Sequence, residues 1–184
     1  MKHHQHHKTS LVQIAWVIAG LILLLGCLLA LKTPNEQIVN ISTSLGLCML
    51  FAGLINLFIC LKKFGIMHGV RWLLADSMST ILLSIFPLFN QITLPGLIPF
   101  FFGVWELFSG IVKSIDASEL KHEKIKGWQS FLVIGFIEIV SGASSLVKPI
   151  DDFVGIHIVI SIILLVQASG FFIKACMYHS LTDE

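Results

Sequence analysis

KGWQSFLVIGFIEIVSGASSLVKP, residues 126–149, decides how the rest of the chain is read. It opens on Trp128, runs apolar for about a membrane thickness, carries one acid, Glu138, and closes at Pro149. A helical crossing takes about 20 apolar residues, each rising ~1.5 Å through a core of roughly 30 Å. Two earlier stretches are built alike: Trp16, Trp72 and Trp128 are 56 residues apart (72 − 16 and 128 − 72). Each tryptophan opens an apolar run. Each run is followed by a second with a small-small pair near its end: Ala52-Gly53, Ser109-Gly110 and Ser169-Gly170. The pattern predicts three tandem two-helix units.

Composition names the solvent. Apolar residues make up 55% of the 184 and charged residues 12%, against about 25% charged in soluble domains. So few charges cannot cover a water-soluble globule, and lipid must solvate most side chains. A net charge of +1 gives no electrostatic basis for nucleic acid as a partner. Six apolar runs are long enough to span: 11–31, 41–61, 70–89, 94–113, 128–147 and 154–177. The expected fold class is an all-α membrane protein of six transmembrane helices in three parallel two-helix repeats. The division runs 1–10 tail, 11–62 first repeat, 69–113 second, 114–127 charged cytoplasmic loop and 128–178 third. In that loop, Asp116 and Glu119 are spaced like a capping box, which suggests a short surface helix.

Lysine and arginine set the orientation. With the N-terminus inside, the inner segments hold Lys2, Lys8, Lys62, Lys63, Arg71, Lys113, Lys121, Lys124, Lys126 and Lys174, and the outer loops only Lys32 and Lys148. Ten against two places both termini in the cytoplasm. The first ten residues, MKHHQHHKTS, read as a His-rich tail or the remnant of a purification tag. Leu24-Leu25-Gly26-Cys27 also resembles a bacterial lipoprotein signal, but Trp16 sets that segment in phase with two internal ones. Cys27, Cys48, Cys60 and Cys176 fall inside apolar runs, with no CxxC pair and no metal-ligand spacing, and read as small buried hydrophobes.

Small residues recur along stripes that let helix backbones approach closely in lipid. Gly46 and Gly53 mark the second run, Gly103 and Gly110 the fourth, Gly135 and Gly142 the fifth, and Gly170 the sixth, where Ile163 stands in place of the earlier glycine. Such stripes are expected to face the bundle axis, with Leu, Ile and Phe toward lipid. Glu106 takes the place of Met49 and Val166 in the other units.

Asp76, Glu106 and Glu138 are acids inside apolar runs, and His157 lies in the outer half of the last one. A charge at the bilayer centre costs about 2.5–3.5 kcal/mol, so such groups face the bundle interior. Asp76 is expected shallowest, Glu106 deeper and Glu138 near the middle, a staggered ladder that would let protons or a cation pass. Alternatively, each acid is hydrogen-bonded to Thr80, Ser145, Gln167 or a backbone carbonyl and serves packing alone. Enzymatic motifs are absent: there is no HExxH, GxSxG or Walker loop, and Ser141, Ser144 and Ser145 have no histidine nearby in sequence. No cofactor and no metal site is expected. The lipid bilayer is the expected partner, protein partners are unspecified, and a homo-oligomer stays open.

With Gly69-Val70-Arg71-Trp72, Gly103-Val104-Trp105-Glu106-Leu107-Phe108-Ser109-Gly110, and Gly127-Trp128 followed by Gly135, Glu138 and Gly142, the chain resembles the HdeD family of bacterial acid-resistance membrane proteins. The resemblance rests on the repeat architecture and covers the chain beyond its His-rich tail. It implies a multi-pass protein of the bacterial inner membrane, linked to acid or general stress tolerance, with no catalytic residue to carry over. The rival expectation is a small channel or carrier for protons or a small solute.

Overall fold

The computed structural model describes residues 11–33, 38–89, 97–147 and 155–182. The His-rich tail, Gly96 and the loop residues 34–37, 90–95 and 148–154 lie outside them. Among the described residues there are α-helices and no strand: α1 (Leu11–Lys32), α2 (Ile38–Lys63), α3 (Val70–Leu88), α4 (Leu97–His122), α5 (Trp128–Ser145) and α6 (Ile156–Thr182). In lipid a backbone must satisfy its own hydrogen bonds, so apolar runs of this length become helices. Four of them, α1, α2 from Ile41, α4 and α6, are long and apolar enough to cross a membrane. The other two are shorter, 19 residues for α3 and 18 for α5, and bury Asp76 and Glu138.

The helices close into a ring. Each touches the next in sequence, α6 returns to α1, and α4 also reaches α6. The most extensive interfaces are α4–α5, α1–α6 and α2–α3. In every one of these, the second helix of one unit lies against the first helix of the following unit, with the third unit closing onto the first. Contacts between units thus exceed those within them, so the hairpin is the unit of sequence and the inter-unit pair is the unit of packing.

The glycines explain where the close contacts fall. A Cβ on Gly46 would meet Leu88 N of α3 at 2.7 Å, one on Gly110 would meet Gly135 O of α5 at 2.6 Å, and one on Gly142 would meet Leu107 N of α4 at 2.5 Å. Gly53 lies against Ile81 and Thr80, and Gly103 against Ser145 and Gly142. The stripes therefore sit between neighbouring helices rather than facing a central axis, because backbone contact in lipid is gained pairwise. At the α1–α6 seam, where Ile163 replaces a glycine, the small residues come from α1: Gly20 meets the Phe172 ring and Gly26 meets Leu164.

The burial pattern is inverted relative to a water-soluble protein. Leu25, Phe58, Leu82, Phe100, Phe136 and Leu165, one from each helix, are exposed, whereas Asp76, Glu106, Lys113, Glu138, Gln167 and Lys174 are buried. Among the cysteines, all free, Cys27 and Cys60 are buried; Cys48 is half-buried and Cys176 exposed, because those two lie on outward faces. Cys27 is seated in the ring, with its carbonyl accepting from Ser161 of α6 at 3.3 Å.

One end of the bundle gathers the lysines and both helical termini. Gln13 Nε2 near the start of α1 donates to Ala175 O near the end of α6 at 3.2 Å. Lys63 lies 5.4 Å over the Tyr178 ring, and Lys121 lies 4.9 Å over the Trp128 ring. We call this the lysine-rich end.

The charged segment expected as a loop at 114–127 is different. Helix α4 continues unbroken to His122, leaving only a short turn before Trp128. Asp116 and Glu119 lie mid-helix and cap nothing. The 114–121 stretch holds no Gly or Pro to break a helix, and α4 gains by extending because its Ala117 and Leu120 enter the core.

The tryptophan that opens the first unit is a structural anchor. Trp16 is fully buried, and its Nε1 donates to Asn56 Oδ1 of α2 at 3.1 Å. Trp16→Phe keeps most of the ring but strands the Asn56 acceptor. It is expected to cost about 1–3 kcal/mol, read as a lower melting temperature in detergent, with Asn56→Leu restoring part of the loss in the double variant.

Candidate functional site

Four helices contribute to a single buried polar cluster in the half of the bundle nearer the lysine-rich end. Helix α4 supplies Glu106, Ser109, Lys113 and Asp116, spaced three, four and three residues apart, which aligns them on one face. Helix α3 supplies Asp76, α5 supplies Glu138 and Ser141, and α6 supplies Gln167 and Lys174, with Gly170 between them.

Lys113 is the hub. Its ammonium donates to Ser109 Oγ at 3.0 Å, to Gln167 Oε1 at 3.2 Å and to Glu138 Oε1. Those three bonds use all three donors of an ammonium group. Ser109 in turn donates to Asp76 Oδ1 at 2.7 Å, and Lys174 Nζ donates to Asp76 Oδ2 at 3.2 Å. Ser141 donates to Glu106 Oε1 at 2.9 Å. A second layer holds α3 to α4: Trp105 Nε1 donates to Thr80 Oγ1 at 2.8 Å, and Thr80 donates to the Asp76 carbonyl at 2.8 Å. A Cβ on Gly170 would lie 3.2 Å from Lys113 Nζ, so that glycine makes room for the ion pair rather than for a neighbouring backbone.

Charge does not balance. With every group ionised, the three deepest acids (Asp76, Glu106, Glu138) against two lysines (Lys113, Lys174) leave −3 + 2 = −1, and Asp116 at the edge of the cluster adds a fourth carboxylate. Lys113 is paired with Glu138 and Lys174 with Asp76. Glu106 is the acid left over, held by the Ser141 hydroxyl and in electrostatic contact with Glu138 and Lys113. Its Oε2 has no hydrogen-bond partner among the described residues, nor do Glu138 Oε2 and Gln167 Nε2. An uncompensated charge in such surroundings is expensive, and one proton or small cation restores neutrality.

The three acids read from the sequence thus meet in one place rather than forming a ladder of separate steps. Of the expected partners, Gln167 joins the cluster through Lys113 and lies beside Glu106, whereas Thr80 accepts from Trp105 and Ser145 donates to the Gly142 carbonyl at 2.8 Å. His157 stands apart. It begins α6, ten residues before Gln167, or about 15 Å at ~1.5 Å per residue, and its carbonyl accepts from Ser161 at 2.6 Å. Lys113 and Lys174 were missed as site residues because both were counted as flanking charges of the inner face. They are 3% and 5% exposed, so eight inner charges remain (10 − 2) against two. The usable signal was spacing: Lys113 lies seven residues after Glu106, and Lys174 seven after Gln167, two turns along the same face.

The two halves of the bundle differ in kind. Toward the end opposite the lysines the interior holds Leu23, Leu45, Ile98, Phe102, Ile160 and Leu164, each 0% exposed and part of one hydrophobic cluster, along with the buried hydroxyls of Ser42, Ser84, Ser145 and Ser161. At the lysine-rich end, a groove of about 680 Å³ opens between the 65–71 segment and α4, lined by His68, Arg71, Glu119, His122 and Glu123 among others. His68 Nδ1 and Glu123 Oε2 are 2.6 Å apart across it. Among the described residues no group of three or more His, Cys, Asp or Glu side chains is arranged to hold a metal ion.

A family model described as a short repeat of unknown function (DUF308) matches this chain twice, over residues 18–89 and 76–147. The two matches start 58 residues apart (76 − 18), close to the tryptophan spacing, and neither enters α6. No curated protein and no solved structure matches the chain. The tandem repeat and the apolar helices together mark an integral membrane protein.

Proposed function

The chain belongs to the DUF308 family of short repeats of unknown function, and from that premise we propose that it is an HdeD-like, non-enzymatic protein of the bacterial inner membrane that contributes to acid or general stress tolerance. All six helices cross the bilayer, with both termini and the lysine-rich end in the cytoplasm. The eight-to-two distribution of exposed-segment lysines and arginines supports that orientation. The tolerance role rests on one observation: buried acids outnumber the two lysines they share, which gives the site a place to hold a proton. The non-enzymatic reading draws support from the serines near the acids. Ser144 and Ser145 donate to the carbonyls of Ser141 and Gly142 at 2.7 and 2.8 Å, which occupies both hydroxyls with backbone.

Cells expressing the wild-type chain should survive an acid shift better than cells expressing the Glu106→Gln, Glu138→Gln double variant at equal membrane abundance. Equal survival would sink the tolerance role. The second reading, a small channel or carrier for protons or a small solute, is favoured by the convergence of the acids and opposed by the apolar half beyond Glu106. Liposomes holding the protein separate the two. No proton flux above empty liposomes is expected, whereas flux that both Glu106→Gln and Glu138→Gln abolish would turn the assignment to a conductor.

A further inference from the structure

Asp116 joins the groove to the cluster. It is 8% exposed, and its carboxylate lies against Gly69, the residue at φ 71° that opens α3; a Cβ there would overlap Asp116 Oδ1. Gly69 also lines the groove. Asp116 also lines a void of about 10 Å³ together with Trp72, Leu73, Asp76, Val112, Lys113 and Lys174. That is about the space of one water. Two buried polar atoms of the wall residues, Asp116 Oδ1 and Trp72 Nε1, have no hydrogen-bond partner among the described residues. One is an acceptor and the other a donor, and Lys174 and Asp76 supply a further donor and acceptor. A water needs about two to four such partners to be held.

We propose that the void binds one ordered water, and that Asp116 with this water is the route by which protons reach the buried acids from the lysine-rich end. The inference rests on the reading above that the cluster exchanges a proton. Asp116 is in electrostatic contact with Lys174 of α6, Asp76 of α3, Glu119 of its own helix and Glu123 in the turn that follows it. A proton bonds first to Asp116. The proton passes through the water to Asp76; Lys113 gives a proton to Glu138 Oε1, breaking an N–H bond as the O–H bond forms, and the amine left behind is reprotonated by the Ser109 hydroxyl as that oxygen takes the proton from Asp76. One proton enters, no other charge moves, and no co-reactant is required. Beyond Glu106 the buried described residues hold serine hydroxyls such as Ser145 but no further carboxylate or lysine.

Infrared difference spectroscopy on the full chain in lipid nanodiscs follows the carboxylic-acid C=O band after an acid step, with the band assigned by its loss in Glu106→Gln and Glu138→Gln. The wild type is expected to respond. Asp116→Asn, close in shape and unable to relay the proton, should slow the response about 100-fold, the low end of what one positioned proton-transfer group contributes. Asp116→Glu should recover most of the rate, and Trp72→Phe should slow it by removing one anchor of the water. Matching melting temperatures show that the variants fold. An equally fast response in Asp116→Asn and Trp72→Phe overturns this route while the proton-binding cluster stands. No response in the wild type overturns both.

Discussion

Lys113→Met is expected to lower stability by about 3–5 kcal/mol, the range for breaking a buried ion pair from one side. Three acceptors lose their donor at once: Glu138 Oε1, Ser109 Oγ and Gln167 Oε1. The large loss would come from what stays behind, a buried Glu138 carboxylate with no counter-charge beside Glu106. The double variant Lys113→Met, Glu138→Met tests that cause. Replacing both partners with apolar groups of similar volume is often close to neutral, so the double variant should melt nearer the wild type than Lys113→Met does. Chemical unfolding in detergent, read by tryptophan fluorescence, measures all three. If Lys113→Met alone unfolds like the wild type, the ammonium is not embedded as described.

Gly110→Leu is expected to cost about 1–3 kcal/mol or more by overpacking. Its Cβ alone would fall 2.6 Å from Gly135 O and 2.7 Å from Ile139 N, both backbone atoms that cannot swing aside. Helices α4 and α5 would have to separate, and that separation pulls Glu138 from Lys113, so site and scaffold fail together. Gly20→Ala is the control. The nearest atoms to its Cβ belong to the Phe172 ring at 2.9 Å, a side chain with room to rotate, and a much smaller change is expected. A melting temperature for Gly110→Leu equal to that of Gly20→Ala would rule out backbone contact at the α4–α5 seam.

Much of the scaffold is legible in residues read locally. The 56-residue return of Trp16, Trp72 and Trp128 announces the repeat, and apolar runs of membrane length announce the helices. Asp76, Glu106 and Glu138 stand out because an acid in an apolar run has few reasons to be there. Lys113 and Lys174 do not stand out in the same way. A lysine near the end of an apolar run fits a snorkelling interfacial residue as well as a buried partner, and local sequence does not choose between them. Burial of Lys113 follows from α4 continuing nine residues further, to His122.

By itself, then, the sequence determined the all-helical class, the tandem repeat, the lipid-facing surface and the acids, because helical period, apolar length and hydropathy are properties of neighbouring residues. Only the tertiary structure decided that the units meet second helix to first, that the glycines lie in those seams, and that acids from three helices share two lysines while His157 stays apart. Those outcomes depend on which helices touch and at what height. Pairwise packing and charge compensation across residues as distant as Asp76 and Lys174 set them; spacing along the chain puts Lys113 on the face of Glu106 but does not say which helix that face meets.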